Sequence, residues 1–173
     1  SSGGGNVAVG ARSFCNNAGG NWNTAVGYCS QLTATGGGYN TAVGTVSMCC
    51  RTTGQCNSAI GYAAGRCGTT ANKTTFVGMN AGLKNTADKT TAVGFGALSN
   101  NTSGVNNTAV GFCSLVNNTG SNNTAFGTFT LRDNTSANGN IAIGNCTSLA
   151  TTTGANNIAI GAEAMKCNTE GCR

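Results

Sequence analysis

The chain has 173 residues, of which 28 are Gly, 25 Asn and 26 Thr, with no Pro, no His and 8% charged residues. So little charge argues against a helical bundle, whose outer faces need charge and whose helices tolerate little Gly or Asn. A net charge of only +5 together with many β-branched residues argues against disorder.

No apolar run approaches the roughly 18 residues of a membrane helix. The four carboxylates, Asp88, Asp133, Glu163 and Glu170, are scattered, so general acid–base catalysis finds no positioned set. No enzyme activity, cofactor or metal is expected. The nine Lys and Arg residues form no dense block, so no nucleic-acid partner is expected either.

In chain order the first predicted element is Asn6-Val7-Ala8-Val9-Gly10, and the pattern Asn-Thr-Ala-Val-Gly then repeats to the end. Its glycine stands at Gly10, Gly27, Gly44, Gly61, Gly78, Gly94, Gly111, Gly127, Gly144 and Gly161, at spacings of 16 or 17 residues. Repetition at a fixed period is the mark of a solenoid, in which each coil buries its face against its neighbours. The expected fold is all-β: a parallel β-solenoid of ten coils, about 17 residues each, forming one domain over residues 1–173 without caps.

Within a coil, the residues before the glycine read as a short strand: Ala flanked by Thr on one side and Val or Ile on the other. Both flanking residues face the same way, and the expected direction is inward, as the core. The glycine marks a corner where a positive φ or close backbone approach excludes a Cβ. A second short strand is expected after it, with Phe14, Met48, Leu98, Leu115, Leu131 and Met165 as core residues, and with Leu32, Leu83 and Leu149 one place late. An Asn/Thr/Gly turn closes the coil. The column Asn6, Asn23, Asn40, Asn57, Asn107, Asn123, Asn140 and Asn157 is expected to stack as an amide ladder that satisfies turn backbone.

The Asn-Thr-Ala-Val-Gly repeats, with their Ala-Leu and Asn-Asn-Thr-Gly segments, resemble the head repeats of YadA-type trimeric adhesins and the β-solenoid segments of phage and viral tail fibres. The resemblance spans all ten copies. It implies a left-handed parallel β-roll, often trimeric, acting as a fibre or an adhesive head.

Ten cysteines point to an oxidising, extracellular or cell- or virion-surface setting. The disulfide candidates are Cys15, Cys29, Cys49, Cys50, Cys56, Cys67, Cys167 and Cys172. Cys50 and Cys67, one period apart, are the favoured pair, whereas Cys113 and Cys146 share a column two coils apart, too far to bridge. Tyr28, Tyr62, Phe95 and Phe112, each directly after a corner glycine, form a candidate interface stripe or carbohydrate-stacking face. Among many Asn-X-Ser/Thr sequons, the turn sites Asn100, Asn117 and Asn134 are the candidate glycosylation acceptors.

Three functional readings follow from these features. The first is an extracellular, disulfide-stabilised structural filament assembled end to end, with copies of the chain as partners. The second, implied by the resemblance, is a trimeric adhesin or receptor-binding fibre head with a glycan or receptor partner. The third is an ice-binding solenoid, motivated by the column Thr24, Thr41, Thr75, Thr91, Thr108 and Thr124 and weakened by the inward direction expected for it.

Overall fold

A computed structural model describes residues 3–16, 18–148 and 152–167. Ten three-residue strands follow one another: β1 Val7–Val9, β2 Thr24–Val26, β3 Thr41–Val43, β4 Ser58–Ile60, β5 Thr75–Val77, β6 Thr91–Val93, β7 Thr108–Val110, β8 Thr124–Phe126, β9 Ile141–Ile143 and β10 Ile158–Ile160. They form one parallel sheet in sequential order, each strand pairing with the next in unshifted register, as Ala25 with Ala42 and Ala42 with Ala59. The expected β-solenoid of about 17 residues per coil is the observed fold.

The phase of the strand is the reverse of the expectation. The central Ala points inward and is buried in β2, β3, β4 and β6 to β10, while the flanking Thr and Val or Ile face outward. The alternation is that of any β-strand. What decides its direction is the width of the lumen, because the opposite wall already fills it with Met48, Leu98, Leu115 and Leu131, all buried. Only a methyl fits between them.

That opposite wall is not a second strand. The residues two and four places after each corner glycine have left-handed φ, among them Val46 at 51°, Met48 at 48°, Leu98 at 51° and Leu131 at 46°. The segment nevertheless bonds coil to coil: Met48 N–H donates to Ala64 O at 2.9 Å and Leu98 N–H to Ser114 O at 3.0 Å. Each left-handed L-residue costs roughly 1–2 kcal/mol, which the inter-coil hydrogen bonds and the burial of Leu and Met offset. Leu32 and Leu83 lie one place further on and are half-buried, and Leu149 is outside the described residues.

The corner glycines have φ between 119° and 136°. A Cβ on Gly44 would lie 2.5 Å from Gly61 O, so both conformation and contact exclude a side chain.

Candidate functional site

Three outward columns run along one side of the rod: the residue opening each strand, the residue before the corner glycine, and the residue after it. The second column holds Val9, Val26, Val43, Ile60, Val77, Val93, Val110, Phe126, Ile143 and Ile160, with Val9 55% and Ile160 68% exposed. The third holds Tyr28, Tyr62, Met79, Phe95 and Phe112, all exposed, with Ala11, Thr45, Thr128, Asn145 and Ala162 at its other positions. Phe95 and Phe112 stack at 5.2 Å between centroids, Phe112 meets Phe129 edge-on at 5.3 Å, and the Arg132 guanidinium lies 5.8 Å over Phe129.

No position in the three columns is charged. The ions stand elsewhere: Arg66, Lys84, Arg132, Asp133 and Lys166 follow the opposite wall, and Lys73, Asp88 and Lys89 precede the strands. The ion pairs Arg132–Asp133 at 2.8 Å and Lys166–Glu163 at 2.9 Å are exposed surface pairs. Each contributes little to stability.

The Asn column lies inside the rod. In a typical rung Asn40 Oδ1 accepts from Asn57 N–H at 3.0 Å, and Asn40 Nδ2 donates to Gly54 O at 2.8 Å. Equivalent bonds join Asn6 to Asn23, Asn23 to Asn40, Asn107 to Asn123, Asn123 to Asn140 and Asn140 to Asn157. Where Thr74 interrupts the column, its hydroxyl and N–H both donate to Asn57 Oδ1. The side chains therefore satisfy the backbone of the next coil rather than facing a ligand.

A second buried amide column, not anticipated from the sequence, stands seven residues after the glycine. Asn101 Nδ2 donates to Asn85 Oδ1, Asn118 Nδ2 to Asn101 Oδ1 and Asn134 Nδ2 to Asn118 Oδ1. Its signal was the recurrence of Asn85, Asn101, Asn118 and Asn134 at the 16–17-residue period. Arg51 occupies this column two coils before Asn85, and Gly68 stands between them. The Arg51 side chain fills the space over Gly68: it is 2% exposed, and its Nη1 donates to Ala71 O at 2.6 Å. Its Nε and Nη2 have no partner, and burial pulls its pKa down to about 10.

This column corrects one glycosylation candidate. Asn134 is buried, with its amide nitrogen committed to Asn118 Oδ1 and Ala137 O, so no oligosaccharide can be attached there. Asn100 and Asn117 lie nearer the surface, Asn117 exposed and Asn100 half-buried.

The nine described cysteines are free thiols, and Cys172 lies outside the described residues. Cys50 N–H donates to Arg66 O and Cys67 N–H to Leu83 O, which puts Cys50 and Cys67 at equivalent places in consecutive coils, both exposed. Cys15, Cys56 and Cys167 are also exposed, whereas Cys29 and Cys49 are buried. Burial, reinforced by the neighbouring Cys50 thiol, pushes Cys49 up to about 11. Cys113 and Cys146 are half-buried, with Phe129 at the equivalent place in the coil between them.

Among the described residues no three His, Cys, Asp or Glu side chains group as a metal site, and no helix is long and apolar enough to cross a membrane. In comparisons with protein-family models, with curated proteins and with solved structures, no match to this chain is found.

Proposed function

We propose that the chain is a structural rod of an extracellular or virion-surface fibre, in which copies lie side by side with their strand faces together. The observation that carries this reading is the charge-free face of β1 to β10. Ten strands at roughly 4.8 Å make it about 48 Å long, and three columns of side chains give it on the order of 600 Å². A partner in a standard interface contributes about 800 Å², and an uncharged face whose middle column is apolar throughout suits burial against a copy of itself.

A second copy is the occupant that suits the face. Its ridges repeat at the coil spacing, which only another solenoid of the same rise matches along the whole length. Three copies around one axis is the arrangement implied by the resemblance to adhesin heads and tail fibres. Copies stacked end to end would extend the backbone ladder at β1 and β10.

The test is electron microscopy of the protein and of a Val43→Lys/Val93→Lys variant. The proposal expects rods several chains thick that become single thin rods in the variant. Thin single rods from both proteins would contradict it.

One observation favours a second reading. Thr24, Thr41, Thr75, Thr91, Thr108 and Thr124 face outward in register with the Val column, a regular array of the kind an ice-binding surface needs. Against it stand Val7, Ile141 and Ile158, which replace Thr at both ends of the column, and Phe126, which breaks the Val column beside it. Thermal hysteresis measured on the native chain, diluted until it is a single chain, decides: a value of zero removes this reading.

A further inference from the structure

A fourth outward column borders the strand face, one residue before the buried Asn column. It runs Trp22, Tyr39, Cys56, Lys73, Lys89, Asn106 and Asn122 in consecutive coils. The ladder of backbone bonds is continuous: Tyr39 N–H donates to Asn21 O, Cys56 N–H to Gly38 O, Lys73 N–H to Gln55 O and Lys89 N–H to Asn72 O, at 2.9–3.0 Å. All these residues have left-handed φ of 55–61°. This conformation throws the side chains out from the edge.

The first part of the edge is aromatic. Trp22 is 62% and Tyr39 63% exposed, and neither has a ring partner among the described residues. The indole rests on Gly5, where an added Cβ would lie 2.4 Å from Cε3, so one ring face is supported and the other is open. Such a supported flat ring is a stacking platform.

The next part is cationic and concave. Gln55, Cys56, Asn72, Lys73, Asp88 and Lys89 line a groove of about 300 Å³. Neither ammonium has a carboxylate within ion-pair distance among the described residues. Asp88 is already committed, with Oδ1 accepting from Asn72 N–H at 2.8 Å and Nδ2 at 3.2 Å. Asn72 Oδ1 in turn accepts from Gln55 N–H at 2.9 Å. The groove floor is thus hydrogen-bonded in place, with two free cations above it.

We infer that this edge binds an acidic oligosaccharide laid along the coils, its sugar rings on Trp22 and Tyr39 and its carboxylates at Lys73 and Lys89. A pyranose unit is about as long as one coil step of roughly 4.8 Å, so an extended chain keeps register with the column. Aromatic faces for the rings, amides for the hydroxyls and point cations for the acids are the groups such a ligand needs. The site goes beyond the assembly reading and does not depend on it, because its residues lie beside the strand face and are all supplied by one chain.

The experiment is calorimetric titration with pentagalacturonate and with the uncharged maltopentaose. The variants are Trp22→Asn and Lys73→Asn/Lys89→Asn, since Asn already occupies this left-handed position at Asn106, Asn122 and Asn156. The expected result is saturable, salt-sensitive binding of pentagalacturonate, weaker binding of maltopentaose, and about a tenfold loss of pentagalacturonate affinity in each variant. No heat with pentagalacturonate, equal affinity for the two sugars, or unchanged affinity in the variants would overturn the inference. Repeating the titration on the single-chain Val43→Lys/Val93→Lys protein separates its failure from a failure of assembly.

Discussion

Phe76 stands where nine other strands carry Ala, and it fits because the wall opposite has given way. Gly65 and Gly82 replace the Leu or Met of other coils, and a Cβ on Gly82 would lie 2.4 Å from Phe76 Cε1. Phe76→Ala is expected to cost about 3–5 kcal/mol by leaving a cavity. Gly82→Leu alone is destabilising, yet added to Phe76→Ala it recovers a large part of the loss, since Leu98 adopts the same left-handed backbone one coil on. Urea midpoints of the three variants check the coupling. Arg51 is a second local exception. Its depressed pKa means the charge is disfavoured in the fold, a cost present below about pH 10 that fades as pH rises toward the unfolded value. Arg51→Met should therefore raise stability at neutral pH by about 1–4 kcal/mol, because Ala71 O keeps its bond from Asn57 Nδ2. Cys49 runs the other way. A thiol whose pKa is raised in the fold stabilises below its unfolded value near 9.0 and loses that contribution as pH rises to about 11. The melting temperature should fall across that window and fall less in Cys49→Ala. At pH 8 an alkylating reagent should modify Cys50 and Cys67 well before Cys49, as peptide mapping would show.

The strand shows which part of an element a repeat makes legible. Period, coil number, corner glycines and the inner Asn column were readable, because each is a residue type recurring every 16–17 positions. The direction of the strand was not. Hydropathy favours burying Val over Ala, but the Met and Leu wall leaves room for a methyl alone. Two substitutions at neighbouring positions separate the directions. Ala42→Leu should overpack the lumen and cost at least about 1–3 kcal/mol, while Val43→Lys, at a half-buried outward site, should cost the isolated chain no more than about 1 kcal/mol. The opposite wall is illegible for a different reason: Met, Leu and Gln carry no signal for a left-handed backbone, which here is imposed by the hydrogen bonds to the next coil. The second amide column and the Arg51–Gly68 exchange were legible in principle, as an Asn column broken by one Arg and one Gly. The edge column of Trp22, Tyr39, Lys73 and Lys89 has no common residue type, so only the backbone ladder reveals it.

At the scale of the molecule the rod has sides of different character. One side is uncharged, with an apolar column between mixed ones, its border carries aromatic rings and two free lysines, and the wall opposite the strands carries most of the remaining cations. A core built from one Ala and one Leu-like residue per coil is thin, and stability accumulates coil by coil through nearest-neighbour contacts. Burying the strand face between copies adds the apolar area that the lumen lacks, which links assembly to stability: the unfolding midpoint should rise with protein concentration. Sedimentation equilibrium of the native chain, beside the Val43→Lys/Val93→Lys variant, decides whether copies associate through this face. The native chain should have a mass that is a small multiple of 17.0 kDa, and the variant should be a folded single chain. A native chain that stays at 17.0 kDa at high concentration, with its strand face open to water, would contradict that association.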